Sequence, residues 1–169
     1  GLALTKQAIN HVEDLQGKFT RLFSSPGLVL KAVAGTLDNA VAVGAVATQG
    51  VVIELKKGQS TPKITTFQNV QPRAVWFDGT FGLAVGDGDD VIVYRNGAWV
   101  RDDSPTREGI LSLSGDGQGG FVVLGNLGSL YQYDPGTKAW NSLYRTTLQV
   151  LLTAGSLVGT QGGEAWAVG

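Results

Sequence analysis

The sequence predicts an all-β fold made by repetition: about three and a half four-stranded antiparallel units, preceded by one amphipathic N-terminal helix. Three observations predict it. A short apolar run closed by glycine recurs as Val41-Ala42-Val43-Gly44, Leu83-Ala84-Val85-Gly86, Val122-Val123-Leu124-Gly125 and Trp166-Ala167-Val168-Gly169, at intervals of about forty residues. Glycine supplies 25 of the 169 residues, a share that suits many tight turns and few long helices. Apolar residues make up 43% and charged residues 16%, the balance of a chain that folds around a core.

Taken in order, residues 4–23 read as the helix. Leu4, Ala8, Ile9, Val12, Leu15, Phe19, Leu22 and Phe23 recur every three or four residues and form one stripe. Thr5 is the expected N-cap, and Ser24-Ser25-Pro26-Gly27 the stop. His11, the one histidine, falls on the polar side of that helix. From Leu28 the periodicity changes to that of strands. The first repeat divides into Leu28–Ala34, Ala40–Gly44, Val51–Leu55 and Lys63–Phe67. The second gives Arg73–Phe77, Phe81–Gly86, Val91–Arg95 and Ala98–Arg101, and the third Gly109–Ser114, Gly120–Gly125, Ser129–Tyr133 and Ala139–Tyr144. A fourth begins with Val150–Ala154 and Glu164–Val168. Asp78-Gly79, Asn96-Gly97 and Asp134-Pro135-Gly136 supply hairpin turns, where Gly and Asn tolerate positive φ. The middle runs are apolar at nearly every position, as expected of strands covered on both faces.

Four hairpin-linked strands at a forty-residue period make the blade of a β-propeller. The expected organisation is a helix and linker over 1–27, then blades over 28–169, divided as 28–70, 71–106, 107–147 and a partial 148–169. The apolar-Ala-Val-Gly strand, the tyrosines of the third strand and the glycine turn leading to Trp99 or Trp140 resemble the broad β-propeller superfamily that includes WD40-like, YVTN-like and BNR (sialidase-type) repeats. The resemblance covers about 140 residues. Asp134, Gly136 and Trp140 look like the Asp-box of BNR blades with one extra residue, and Asn96, Gly97 and Trp99 hold part of it. In that superfamily the Asp-box stabilises a turn and is not catalytic.

Composition excludes several chemistries. No cysteine and a single histidine leave Cys-His and Ser-His-Asp catalysis without their parts. A net charge of −1 gives no general attraction for nucleic acid, and no apolar run has the length of a membrane span. No signal peptide is apparent, and the compartment stays open. Gly115, Gly117 and Gly120 match Gly-x-Gly-x-x-Gly, but a strand follows where phosphate binding needs a helix N-terminus, so a hairpin loop is expected. The carboxylates of Asp87, Asp89 and Asp90 are weighed as a Ca²⁺ loop and read as a solvated turn, because their spacing is not that of an EF-hand. Arg73, Arg101, Arg107 and Arg145 are the arginines a sialidase-like site would draw on. At strand ends such residues ordinarily solubilise and block edge pairing. Trp76, Trp99, Trp140 and Trp166 recur with the repeats and are expected between blades.

The expected function is a non-enzymatic structural or protein-interaction module, with neither cofactor nor metal; the inventory leans against an enzyme without closing the question. Its loops Asp87–Asp90 and Asp102–Glu108 are expected to meet the partner, with Asp87, Asp89, Asp90, Asp102, Asp103 and Arg107 as binding residues. Propellers close with four to eight blades, so the strand ending at Gly169 is expected to be completed or capped, either by more of the same chain or by a protein partner. The alternatives are a BNR-type propeller that binds or hydrolyses glycan, and a structural subunit of a virus such as a phage tail.

Overall fold

Strands of four to eight residues pair with their neighbours in chain order. The computed structural model describes residues 2–5, 8–12, 19–36, 38–88, 90–104, 106–115, 120–125, 127–134 and 136–144. One antiparallel sheet holds β4 (Val29–Gly35), β5 (Asn39–Val46), β6 (Gln49–Lys56) and β7 (Lys63–Gln68). A second holds β8 (Pro72–Phe77), β9 (Gly82–Gly86), β10 (Val91–Arg95) and β11 (Ala98–Asp102). A third holds β12 (Ile110–Gly115), β13 (Phe121–Gly125), β14 (Leu130–Asp134) and β15 (Ala139–Tyr144). The sheets stack face to face through their first strands, with β4 against β8 and β8 against β12. This is the architecture of a β-propeller segment. The turn signals act as their chemistry requires. Asn96 and Gly97 take φ of 50° and 79° in the two-residue turn that closes Arg95 opposite Ala98.

The helix expected over 4–23 is corrected. Its described residues lie in β1 (Leu2–Thr5), β2 (Ala8–Val12) and β3 (Phe19–Ser24), which form a three-stranded antiparallel sheet. Thr5 is therefore not a helix cap but stands opposite Ala8 at the end of a strand pair. The stripe misled because the short connections restart the alternation of each strand, so that several apolar positions fall three or four apart. In the sheet, Ile9 stands opposite both Leu4 and Phe23. Ile9 is fully buried with Leu28, Leu30 and Ile53 of the neighbouring sheet. β-branched Thr5, Ile9, Val12 and Thr20 fit a pleated surface better than a helix. β1 packs on β4 as β5 packs on β8, so β1 to β3 occupy the second, third and fourth positions of a blade. The expected partial unit 148–169, with its edge at Gly169, lies outside the described residues.

The middle strands of the first two four-stranded sheets, β5, β6, β9 and β10, are covered on both faces, and the period of two divides their residues between two cores. In β9, Leu83 and Val85 join Phe121 and Tyr133 on one side, while Ala84 joins Val43 and Trp99 on the other. In β10, Val91 and Val93 face the third sheet and Ile92 the first. A cross-strand aromatic pair recurs at each junction: Tyr94 opposite Trp99 and Tyr133 opposite Trp140, with ring centroids 5.4 and 4.5 Å apart.

The recurring glycine has a steric cause. Each first strand carries one extra residue where it passes the end of the second. Leu30 pairs with Gly44 and Ala32 with Val43, leaving Lys31 over. Pro72 pairs with Gly86 and Ala74 with Val85, leaving Arg73. Ile110 pairs with Gly125 and Ser112 with Leu124, leaving Leu111. These are β-bulges in the same register of three successive sheets. A Cβ on Gly44 would fall 2.9 Å from the Cα of Leu30, and one on Gly86 2.9 Å from the Cα of Pro72, contacts that backbone cannot yield to. Gly44→Ala and Gly86→Ala are each expected to cost about 1–3 kcal/mol, the range of overpacking, read as a lowered urea midpoint with an unchanged slope.

Candidate functional site

Antiparallel register puts the bulges, the β5–β6, β9–β10 and β13–β14 turns, and the connections that enter β8 and β12 at one end of the sheets. The loops singled out by sequence, Asp87–Asp90 and Asp102–Glu108, belong to this loop face. Their acids have different positions and partners.

Asp90 is 5% exposed. Its Oδ2 accepts the backbone N–H of Gln71, and its Oδ1 lies 3.8 Å from the Arg101 guanidinium. The Gln71 side chain donates to the Ala47 carbonyl at 3.1 Å. Asp90 thus ties the connection entering β8 to the β9–β10 turn, and Gln71 ties it to the preceding sheet. Glu108, which sequence reasoning did not single out, does the same work one sheet on. Its Oε2 accepts the Leu127 N–H at 2.8 Å and its Oε1 the Tyr131 hydroxyl at 3.2 Å. A Cβ on Gly125 would meet that carboxylate, so the third closing glycine makes room for an acid rather than for backbone. Asp87 is half-exposed and pairs with the half-exposed Arg73 at 2.7 Å. Asp89 lies outside the described residues. Arg107 is exposed and forms no ion pair among them.

Asp102 leaves the loop and joins the junction between the second and third sheets. Its carboxylate is bound by Arg95 and accepts the Tyr133 hydroxyl, which Arg95 also contacts. Arg95 and Asp102 expose only 20% and 15% of their side chains. Burial by itself raises the Asp102 pKa, but the Tyr133 hydroxyl, the Asp103 backbone N–H and the Arg95 charge outweigh it and hold it below the ordinary value. The Tyr133 hydroxyl is pushed well up, first by burial and then by the carboxylate it donates to. Beside it the Trp140 indole N–H donates to the Asp103 carbonyl at 2.9 Å. The equivalent Trp99 indole is buried with no hydrogen-bond partner among the described residues. Thus Asp102 and the backbone of Asp103 hold sheets together, while the Asp103 side chain is left on the face.

The face also exposes Val46 and Leu127, 37% and 51% accessible, neither of which had a sequence signal beyond hydrophobicity. At the opposite end, Asp134 accepts the Gly136 and Thr137 N–H groups and the Thr137 hydroxyl. These bonds lower its pKa, the Thr137 hydroxyl most, and make the acid a turn-former. Among the described residues no three His, Cys, Asp or Glu side chains converge as a metal site, and no helix is long and apolar enough to cross a membrane. Gly115 stands opposite Phe121 in an antiparallel pair, so no helix start follows the glycine-rich run.

No family model matches the chain, and no curated protein matches it in sequence. Solved structures do match. YCF48 bound to a D1 peptide aligns with a TM-score of 0.62 at 16% identity, over 83% of this chain and 48% of that one. A nidogen/laminin complex gives 0.67 at 11% identity, over 93% and 65%. Saccharomyces cerevisiae Sqt1 gives 0.61 at 16% identity, over 83% and 42%. At these identities the likeness is one of fold, the β-propeller, and the chain spans roughly half the length of such structures.

The Asp102–Tyr133 pair makes stability depend on pH in two windows. Asp102 ionises at lower pH when folded, so its contribution is present above the ordinary carboxylate range and is lost as pH falls through the folded value. Tyr133 keeps its proton to higher pH when folded, so its contribution is complete below about pH 10 and is lost as pH rises further. Asp102→Asn is expected to lower stability by about 1–3 kcal/mol at neutral pH and shrink the acid loss. Tyr133→Phe is expected to cost about 1 kcal/mol and shrink the alkaline loss. Urea unfolding from pH 3 to 11 reads both.

Proposed function

We propose that this chain is part of a β-propeller that serves as a non-catalytic protein-interaction module, and that its loop face meets the partner. One observation carries the reading: two acids of this face, the buried Asp90 and the half-buried Glu108, are held in structural bonds. Asp90 is bound to the Gln71 backbone and Glu108 to the Leu127 backbone. This leaves a surface whose exposed groups are a mixture of cations, the acids Asp87 and Asp103, and the apolar Val46 and Leu127. Such a mixture suits recognition of a protein surface. Catalysis would need an acid or nucleophile of altered pKa in a cleft. Among the described residues the one strongly raised group, Tyr133, is 0% exposed inside the junction between sheets. The matching structures support the reading so far as one is YCF48 bound to a D1 peptide and another a nidogen/laminin complex.

Two arginines that a glycan-acting site would draw on already have acidic partners, Arg73 with Asp87 and Arg101 with Asp90. Panning a random phage-displayed peptide library on the immobilised chain is expected to enrich a peptide family. Its binding is expected to fall about tenfold, about 1.4 kcal/mol, in the variant carrying Asp103→Lys with Arg107→Glu. No enrichment, combined with selective retention on a glycan array or turnover of a sialoside lost in Arg107→Ala, would replace this reading with the glycan one.

A further inference from the structure

We propose that the bulge residues of the first strands, Lys31, Arg73 and Leu111, are the specificity-determining positions of the loop face, and that they take an extended peptide carrying neighbouring carboxylates beside an apolar side chain. This rests on the reading of the loop face as a protein-interaction surface and names the chemistry of its partner.

A bulge re-aims one side chain out of the regular alternation of a strand. Here the extra residue directly follows the residue opposite the closing glycine in three successive sheets. The first strands are also the ones that pack on each other from sheet to sheet. One position per blade is therefore repeated along the inner side of the stack, at the end where the loop face lies. The residues there are two cations and a leucine.

Lys31 is exposed and forms no ion pair or hydrogen bond among the described residues. The Arg73 side chain is 52% exposed, and its partner Asp87 is 50% exposed. Asp87 fixes the guanidinium and leaves further donors of its planar fork for a second carboxylate. Leu111 is half-buried, as an apolar contact with part of its surface free. The other acids nearby offer little competition, since Asp90 is buried against the Gln71 N–H and Glu108 is bound to Leu127 and Tyr131. Charge complementarity then selects an acidic partner. Two cations in a chain of net charge −1 are too few for the phosphate contacts of nucleic acid binding, and the adjoining leucine favours a peptide over a bare anion.

The test is fluorescence anisotropy of the full chain with three labelled ten-residue peptides, alternating Glu/Leu, Lys/Leu and Glu/Ser. The Glu/Leu peptide is expected to bind at least tenfold more tightly than either of the others, and to weaken as salt rises from 0.15 to 0.5 M on the order expected for screened charges. Lys31→Glu and Arg73→Gln are each expected to weaken it about tenfold, and the double variant Lys31→Glu, Arg73→Glu to prefer the Lys/Leu peptide. Leu111→Ser is expected to reduce the difference between Glu/Leu and Glu/Ser. Urea midpoints of the variants, matched to the parent chain, exclude unfolding as the cause. Equal binding of the Glu/Leu and Lys/Leu peptides, or full Glu/Leu affinity in the double variant, overturns the proposal. If library-selected peptides bind through Asp103 and Arg107 but ignore Lys31 and Arg73, this inference fails while the interaction reading stands. If no peptide binds, both fail.

Discussion

At the end of each second strand the neighbouring chain comes so close that a side chain has no room. Gly44 and Gly86 meet the backbone of the bulged first strand, and Gly125 meets the Glu108 carboxylate. This close approach positions what surrounds it. It sets the register of the first two strands of every sheet. It brings the connection entering a blade beside the turn between its second and third strands, so that Asp90 reaches Gln71 and Glu108 reaches Leu127. It also aims one extra residue per blade away from the regular alternation. A glycine that reads in sequence as a turn signal is, in the fold, a contact between strands.

Electrostatics on the loop face act chiefly as fastening. A buried carboxylate accepting a backbone N–H satisfies a donor that a loop would otherwise leave without a partner. Such bonds to a charged acceptor are stronger than neutral ones. The exposed Arg73–Asp87 pair is different. It is open to solvent and contributes little to stability, and the remaining donors of the Arg73 guanidinium face solvent.

The architecture was legible because its signals are local: the forty-residue period, the alternation of apolar residues, and Asn96-Gly97 as a hairpin turn. The first strands were misread for the same reason. Over residues 4–23, short strands and short connections imitate a helical period, and only the pairing of Ile9 with Leu4 and Phe23 resolves it. Gly1-Leu2-Ala3-Leu4 parallels Gly82-Leu83-Ala84-Val85, but Thr5 stands where the repeat has its closing glycine. The site was much less legible. Asp90, Asp102 and Glu108 have partners 19, 31 and 19 residues away respectively, and no local pattern distinguishes a bound acid from a solvated one. The bulges were not legible because a single extra residue interrupts the alternation of a short strand too briefly to stand out from it.

Stacked blades with similar cores present a problem of misassembly, since one apolar face fits another tolerably well. The junction between the second and third sheets carries what the preceding one lacks. Tyr133 enters a bonded cluster with Arg95 and Asp102, and Trp140 reaches the Asp103 carbonyl, whereas the matching Trp99 indole is buried without a partner among the described residues. A part-buried ion pair at such a place identifies position more than it adds stability. If the third sheet were stacked on any other face, Arg95 and Asp102 would lose the hydroxyl that joins them. The cluster thus fastens the third sheet to the second in this one register.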